Sequence, residues 1–455
     1  MPRARRTGRA LPRGDARRGE HLRASGSPYG CRYRYVTCEL GKLLVQRLRD
    51  FVRREVVLVV AIVLAAASCI AVPPDAAYSA YIDWHTLALL FCLMAVVAGL
   101  RSLGVLDSMG KWLVSRAKSQ RAIAFALVGI VFFASMAVTN DVALITFVPL
   151  ALVTLRAAGM EGHALLVAAL MTVAANLGSM LTPVGNPQNL YLFTASGMSV
   201  SRFLSLMAPY TGLSAALLGG CILVLFRSKP CCGEEAGKNK GCVRGAADGE
   251  EIVSRSCWSD GAAHEFANGV REDAAPAPLW RCSCGRLAIY LVLFCICLLA
   301  VAGIVDVRIV LAVVIAAVAL TDAEQLRRVD FALLLTFVAL FVFVGNMVRI
   351  PLVHDAVAGL VGQNAVIAAV GASQVVSNVP AAVLLSGFTS QWDALIVGTN
   401  LGGLGTLIAS MASLITFKAI SIGRAGAKIR YLKVFTLVNV VFLVALLGLA
   451  LLFGL

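Results

Sequence analysis

Long apolar segments alternate with short polar stretches over most of the chain. A helix that crosses a bilayer needs about 20 consecutive apolar residues, and a shorter segment fits a hairpin or a broken helix. The pattern therefore predicts an all-α polytopic membrane protein. Its predicted membrane-embedded segments are residues 56–72, 84–100, 122–155, 164–193, 207–226, 287–304, 309–320, 331–348, 365–385, 395–417 and 434–453.

Two of these segments carry polar side chains at their centres. The clusters are Thr139, Asn140 and Asp141 in residues 122–155, and Ser377 and Asn378 in residues 365–385. About 34 residues is marginal for two full spans, and arginines flank the first segment at both ends. We therefore expect each segment to enter and leave on one side as a re-entrant hairpin with its polar cluster at the tip. Two full spans are the alternative for residues 122–155.

Each predicted hairpin is followed by an interrupted hydrophobic segment. Residues 164–193 are broken between Gly178 and Pro187, and residues 395–417 are broken at positions 402–406. Proline removes a backbone donor and clashes with the preceding turn, so a continuous helix is not expected in the first break. Interrupted segments at matching positions of two halves indicate the binding site of a secondary transporter.

Counting the segments predicts the domain organisation. Residues 1–54 form a basic cytoplasmic arm with an interfacial helix from about residue 40, and residues 55–227 form a first transmembrane repeat. Residues 228–285 form a cytoplasmic linker loop. Residues 286–455 contain a linking helix and a second repeat, which the linking helix inverts. The predicted fold is thus a pair of inverted repeats, each with a re-entrant hairpin and a broken transmembrane helix.

Composition and charge support a membrane location. The chain is 59% hydrophobic and 14% charged, whereas soluble domains carry about 25% charged residues. Residues 1–55 hold 15 Lys or Arg and 5 Asp or Glu, so they contribute +10 (15 − 5) to the net charge of +15 of the whole chain. Before a first span, such an arm indicates cytoplasmic retention, and we expect no nucleic-acid partner. The sequence thus predicts a multi-pass protein of the plasma or inner membrane with a cytoplasmic N-terminus.

The breaks and hairpin tips predict a site for an anion and a cation together. Exposed helix N-termini suit an anion, whereas backbone carbonyls and Asn, Ser and Thr oxygens suit sodium. The candidate residues are the hairpin-tip residues and those of the facing break in each half. They are Thr139, Asn140, Asp141, Gly178, Ser179, Thr182, Gly185 and Asn186, and Ser377, Asn378, Asn400, Gly402, Gly403, Gly405 and Thr406.

Asp141 is the one acidic residue predicted near the bilayer midplane. An ionisable group there is a functional candidate by default, as a sodium ligand or a proton carrier. Sodium is predicted at Asn140, Asp141 and Asn378. The alternatives are structural: Asp141, Asn140 and Asn378 could cap helices, and Thr182 could bond back to its own helix.

Three motifs carry a resemblance to a known family. They are T-N-D-V-A-L-I-T-F-V-P at residues 139–149, T-P-V-G-N-P-Q-N at 182–189 and N-L-G-G-L-G-T-L-I-A-S-M-A-S at 400–413. The chain resembles the ion transporter superfamily, in its citrate-transporter-like and arsenite-permease-like branch, and more distantly the divalent anion:sodium symporters. In those symporters each tip carries Ser-Asn-Thr. Asn140 and Asn378 match its asparagine, whereas Asp141 and Val379 stand where the family has threonine.

The resemblance implies a homodimer and an elevator movement of the hairpin domain. With the residues, it predicts a secondary active transporter of a small anion, a carboxylate such as citrate or an oxyanion, coupled to Na⁺ or H⁺. An arsenite or antimonite efflux permease and a sodium/proton antiporter are the alternatives. No H-E-x-x-H or G-x-S-x-G motif occurs, the five histidines are scattered, and the loop cysteines lack zinc-site spacing. We therefore expect that the protein is not an enzyme and that it uses no cofactor besides the coupling ion.

Overall fold

The structure is a computed structural model that describes residues 55–226, 284–420 and 427–455, with residues 46, 47, 49, 51 and 52. All regular secondary structure in these ranges is helical. The chain divides into two units, Met1–Val56 and Val57–Leu455. The predicted arm and linker lie mostly outside the described residues, although the five described positions of the interfacial segment are helical.

Nineteen α-helices and one 3₁₀ helix, Glu161–His163, occupy the main described ranges, and we number the α-helices in chain order. They are α1 (Val56–Ala71), α2 (Tyr78–Tyr81), α3 (Trp84–Ser102), α4 (Val105–Ser115), α5 (Gln120–Ala134), α6 (Asn140–Ala157), α7 (Ala164–Ser179), α8 (Pro187–Ser196), α9 (Val200–Leu225), α10 (Cys284–Val301), α11 (Val307–Asp322), α12 (Glu324–Arg327), α13 (Phe331–Val348), α14 (Pro351–Gln363), α15 (Ala365–Val376), α16 (Asn378–Ser386), α17 (Trp392–Leu401), α18 (Met411–Ile420) and α19 (Ala427–Leu452).

Polar side chains define where many of these helices begin. At seven helix starts a side-chain oxygen accepts a backbone N–H that has no partner within the helix, an arrangement worth about 1 kcal/mol per helix. The residues are Asp83, Ser119, Asn186, Ser199, Asp306, Asp330 and Asn364.

Six described helical segments are long and apolar enough to cross a membrane. They are Trp84–Ser102, Asn140–Ala157, Glu161–Ser179, Val200–Leu225, Phe331–Val348 and Lys428–Leu452. Large apolar side chains on the outer surface are exposed, among them Ile70, Val224 and Leu452 at more than 80%. A surface of this kind is stable against lipid, so the protein is a multi-pass membrane protein.

Both predicted polar tips interrupt a pair of helices. Thr139 ends the connection between α5 and α6, and Ser377 is the single residue between α15 and α16. In each half the first arm of this pair packs on the first part of the broken helix, α5 on α7 and α15 on α17. The element order of the two halves is therefore the same. The inversion of one half relative to the other stays a prediction.

The two predicted breaks are present and lie where the glycine and proline motifs indicate. α7 ends at Ser179 and α8 begins at Pro187, whereas α17 ends at Leu401 and α18 begins at Met411. The predicted segment 207–226 is longer in the structure, because Ser199 caps α9 and helix continues through Pro209. In addition, α14 and α15 meet at a bend of 114°.

Close helix packing predicts a sharp effect for one glycine of α3. A methyl group at Gly99 would overlap the ring of the fully buried Tyr290 on α10, whereas one at Gly129 of α5 meets no atom within 4 Å. We expect Gly99→Ala to destabilise the protein by about 1–3 kcal/mol through overpacking. Gly129→Ala, the matched control, should be neutral or stabilising. Thermal unfolding of both variants in detergent checks this, and equal midpoints would contradict it.

Candidate functional site

The two hairpin tips have the same local geometry. The backbone N–H of Asn140 donates to the carbonyl of Gly185 at 3.2 Å, and that of Asn378 donates to the carbonyl of Ala409 at 3.0 Å. In both cases the amide oxygen of the asparagine accepts the N–H of the next residue at 3.0 Å. Each tip is thus fastened to the broken segment of its own half, and each asparagine oxygen partly caps the helix that follows.

Asn176, near the end of α7, joins the first tip to the second break. Its Oδ1 accepts from Asn140 Nδ2 at 3.1 Å and from Ser410 Oγ at 3.0 Å. Its Nδ2 donates to the carbonyl of Gly403 at 3.2 Å. One amide therefore connects a residue of the first hairpin with two residues of the second half.

Asn400 has the reciprocal role. It is the penultimate residue of α17, and its Nδ2 donates to Asn189 Oδ1 at 2.6 Å and to the Ile396 carbonyl at 2.8 Å. The Oδ1 of Asn400 accepts from Asn186 Nδ2 at 3.3 Å. Asn186 Nδ2 also donates to Ser179 Oγ at 3.2 Å. The break of the first half is thereby tied to the broken helix of the second.

We call these residues the central amide network. Its members are Asn140, Asn176, Asn186, Asn189, Asn400 and Ser410, all of them at most 5% exposed. Asn176 and Asn400 each begin an Asn-Leu-Gly sequence, so equivalent residues of the two halves each bond into the opposite half. An amide buried without a partner costs about 1–3 kcal/mol. The hydrogen bonds therefore fix how the two breaks face each other.

The second break is also held by Gln374, one turn before its hairpin tip. Gln374 Nε2 donates to the carbonyls of Gly402 at 3.0 Å and Leu404 at 2.8 Å, and its Oε1 accepts the Thr406 N–H at 2.9 Å.

At the second hairpin tip, Ser377 is the one described non-glycine residue with a positive φ, at +76°. Such a conformation costs about 1–3 kcal/mol and persists only where the surroundings impose it.

In the first break, the Thr182 hydroxyl donates to the carbonyl of Met136 at 2.5 Å. Met136 lies in the connection that leads to the first hairpin tip. Thr182 therefore links the break to the hairpin and does not bond back to its own helix.

The predicted glycines lie where protein atoms leave no room for a side chain. A methyl group at Gly178 would overlap the Phe132 carbonyl, and one at Gly185 would overlap the Ser179 carbonyl. In the second half, Ser373 lies against Gly402, Asn378 against Gly403 and Gln374 against Gly405. The missing side chains thus permit close packing within the first break and between each hairpin and the broken segment of its own half.

A cavity of about 930 Å³ reaches the first tip from one end of the fold. Of the predicted residues, Thr139, Asp141 and Asn186 line it, and the others are not part of its lining. An apolar face of α3 forms the opposite wall with Leu90, Leu93, Met94, Val97 and Ala98. Small-molecule sites occupy about 300–1,000 Å³, so the volume suits a small solute.

Asp141 faces this cavity and has a carboxylate oxygen, Oδ1, that is buried without a hydrogen-bond partner among the described residues. Thr139 holds the N-cap position of α6, so the Asp141 side chain is not the cap. Successive residues of a helix point about 100° apart. Asn140 therefore joins the central amide network while its neighbour meets the cavity.

Charged side chains surround the other end of the cavity. They are Arg101, Asp107, Lys111, Arg286 and Arg328, whereas Asp330 lines the cavity close enough to Asp141 to repel its carboxylate. Burial raises the pKa of the Asp107 carboxyl, and Lys111 and Arg101 act in the opposite direction. All but Arg286 are exposed, so this is the end at which the cavity meets solvent.

Four residues of the site were not among those predicted from the sequence: Asn176, Asn189, Gln374 and Ser410. Two of them follow from the internal repeat, because Asn176 matches Asn400 and Ser410 matches Asn186 when the Asn-Leu-Gly sequences are aligned. Asn189 stands in the quoted proline motif. Gln374 has no sequence signal beyond being a polar residue in an apolar helix.

Two discontinuous helices that meet at a polar network beside a cavity are typical of a membrane transporter. The comparisons with known proteins agree and give the family. The model of the citrate transporter family matches residues 43–390, and the chain belongs to that family.

Proteins similar to this chain occur in bacteria, archaea and eukaryotes. Inner membrane protein YbiR of Escherichia coli is 30% identical over 345 residues, covering 75% of this chain and 81% of YbiR. An uncharacterized transporter of Methanocaldococcus jannaschii is 29% identical over 340 residues, covering 74% and 81%. A Dictyostelium discoideum protein named as a candidate transporter, arsB, is 26% identical over 31% of this chain and 24% of its own length.

The network generates a prediction about Asn400. Asn400→Ala removes two donated hydrogen bonds and leaves Asn189 Oδ1 and Asn186 Nδ2 with fewer partners, so we expect a loss of about 1–3 kcal/mol. Asn439→Ala is the control, since Asn439 is equally buried but donates only to Phe435 of its own helix. Thermal unfolding in detergent should show the larger decrease for Asn400→Ala. An equal or smaller decrease would mean that the network does not stabilise the fold.

Proposed function

We propose that the protein is a secondary active transporter that moves a small anion, a carboxylate such as citrate or an oxyanion. Transport is coupled to a Na⁺ or H⁺ gradient, which drives it. The observation that carries this proposal is the partnerless carboxylate oxygen of Asp141 in the wall of the cavity. Family membership supports the transporter class.

Asp141 supports coupling to a cation. A buried carboxylate without a partner is costly as an anion, and a bound proton or sodium ion removes that cost. Its position at the start of α6, next to a residue of the central amide network, would let cation binding alter the hairpin tip. Asn140 and Asn378, placed alike in the two halves, would supply further neutral oxygens for sodium.

The surroundings of the tip support an anionic substrate. α6 and α8 both begin at the cavity, at Asn140 and Pro187, and helix N-termini favour negative charge. The solvent end of the cavity holds four basic side chains and Asp107, and Asp322 and Glu324 pair with two of the basic ones. Arg101 and Lys111 are therefore the cations that a carboxylate would meet at this opening.

Two alternatives remain within the transporter class. An arsenite or antimonite efflux permease is supported by the name of the Dictyostelium relative, which covers less than a third of this chain. A sodium/proton antiporter is supported by Asp141 alone, as a group that both cations could occupy. Both would use the cavity described above.

The assembly and mechanism proposed with this function rest on the resemblance to the anion symporters. We propose a homodimer in the plasma or inner membrane, with a cytoplasmic N-terminus and an elevator movement of the hairpins and broken helices. The central amide network would keep these elements together during that movement, since its hydrogen bonds join both halves.

Reconstitution in liposomes tests the proposed function. We expect uptake of labelled citrate or succinate that rises with an inward sodium or proton gradient. In Asp141→Asn the gradient-driven part should fall roughly tenfold or more, because contacts to a charged group are worth about 1.5–3 kcal/mol. Asp355→Asn, an exposed carboxylate on α14, is the matched control and should transport like the unmodified protein.

Each result has a distinct meaning. Gradient-dependent uptake that survives in Asp141→Asn would refute a coupling role for this residue. The absence of carboxylate flux under both gradients would refute the carboxylate substrate. Arsenite flux and sodium/proton exchange would then be measured in the same liposomes.

A further inference from the structure

The solvent end of the cavity is lined by basic side chains from separate parts of the chain. We call this set the basic mouth. Its members are Arg101 of α3, Lys111 of α4, Arg286 of α10 and Arg328, which follows α12. The predicted topology places all of these on the cytoplasmic side. Four cations from four elements thus converge on one opening.

Two members of the basic mouth already have anionic partners. Arg286 pairs with Asp322 at 2.6 Å, and Arg328 pairs with Glu324 at 2.8 Å. Over the described ranges, neither Arg101 nor Lys111 has an ion pair or a side-chain hydrogen bond. Asp107 attracts both without forming an ion pair, so each keeps its hydrogen-bond donors for a solute in the opening.

Two charged neighbours act on Arg101 with opposite sign. Arg328 is close enough to repel it, and Asp107 is close enough to attract it. Like charges gathered at a partly enclosed site are unfavourable until an anion lies between them, and such a site concentrates anions from solution. A guanidinium can also bind a carboxylate through two parallel hydrogen bonds.

Arg101 also occupies a particular place on the route to the hairpin tip. Going inward from it, α3 presents only apolar side chains to the cavity, from Ala98 to Leu90. Asp141 lies at the tip, and Asp330 lines the cavity close to it. An anion that enters from this end therefore meets Arg101 before it reaches the tip.

We propose that Arg101, with Arg328 opposite, forms a recruitment site for a small di- or tricarboxylate at the opening of the cavity. The site selects for charge before the solute reaches the hairpin tip. This inference rests on the proposed function as an anion transporter. It disfavours arsenite as substrate, since arsenite is uncharged at neutral pH and gains nothing from guanidinium groups.

Equilibrium binding to the purified full-length protein in detergent tests the recruitment site without regard to membrane orientation. Labelled citrate is the probe, at low and at high ionic strength. We expect Arg101→Gln to weaken citrate binding about tenfold at low ionic strength, because the variant loses one charge-assisted contact. The dependence of affinity on salt should become shallower in this variant.

Three further variants make the measurement specific. Arg101→Lys keeps the charge and should keep the salt dependence, although the bidentate geometry is lost. Arg328→Gln should weaken binding in the same sense as Arg101→Gln. Arg308→Gln, an exposed arginine at the start of α11 that does not line the cavity, is the matched control and should bind like the unmodified protein.

The outcomes separate this inference from the function it rests on. Citrate binding by Arg101→Gln with unchanged affinity and salt dependence overturns the recruitment site, while transport by the unmodified protein would still support the function. If Arg101→Gln unfolds at a lower temperature than the unmodified protein, Arg328→Gln decides, and unchanged affinity there overturns the inference. Failure of the unmodified protein both to bind and to transport citrate and succinate overturns the carboxylate function and the recruitment site together.

Discussion

The fold around the site depends on the requirement that polar groups buried in a membrane protein find hydrogen-bond partners. Two broken helices and two hairpin tips bring unpaired backbone groups and amide side chains into the interior, where each unpaired group costs about 1–3 kcal/mol. Asn176 and Asn400 meet this requirement by bonding into the opposite half. The two breaks are stable in the interior because polar groups of each form hydrogen bonds with polar groups of the other.

This arrangement also explains how neighbouring residues take different roles. Asn140 joins the central amide network and Asp141 faces the cavity, because successive helical residues point about 100° apart. The same tip therefore belongs to a buried hydrogen-bond network on one side and to a solvent-connected space on the other. A cation or substrate at Asp141 would act directly on the element that the network holds in place.

The charge distribution along the cavity has a physical logic as well. The apolar wall of α3 keeps the interior of the cavity low in polarity, so charges at either end act strongly on what lies between. The basic mouth and Asp141 stand at the two ends of that wall. In the proposed function an anion is attracted at the opening and a cation binds at the tip, and Arg101 and Asp141 have the signs of charge that these two steps would require.

Much of this could be predicted from the sequence, because its signals are local. Apolar length sets the membrane segments, proline and glycine set the breaks, and a polar cluster in an apolar segment marks a tip. Asn140, Asp141 and Asn400 were found in this way. Gln374 was missed, since its role depends on backbone carbonyls of residues about 30 positions away.

The sequence by itself determined that the chain is a helical membrane protein of two similar halves, each with an interrupted pair and a broken helix. Only the tertiary structure decided that Asn176 and Asn400 exchange partners between the halves. It also decided that Asp141 lines a cavity while most of the predicted glycines serve packing, and that Arg101 and Arg328 both lie at the opening of this cavity. Hydrophobic length and helix breaking are properties of contiguous residues, whereas hydrogen bonds and charge clusters form between residues that only folding brings together.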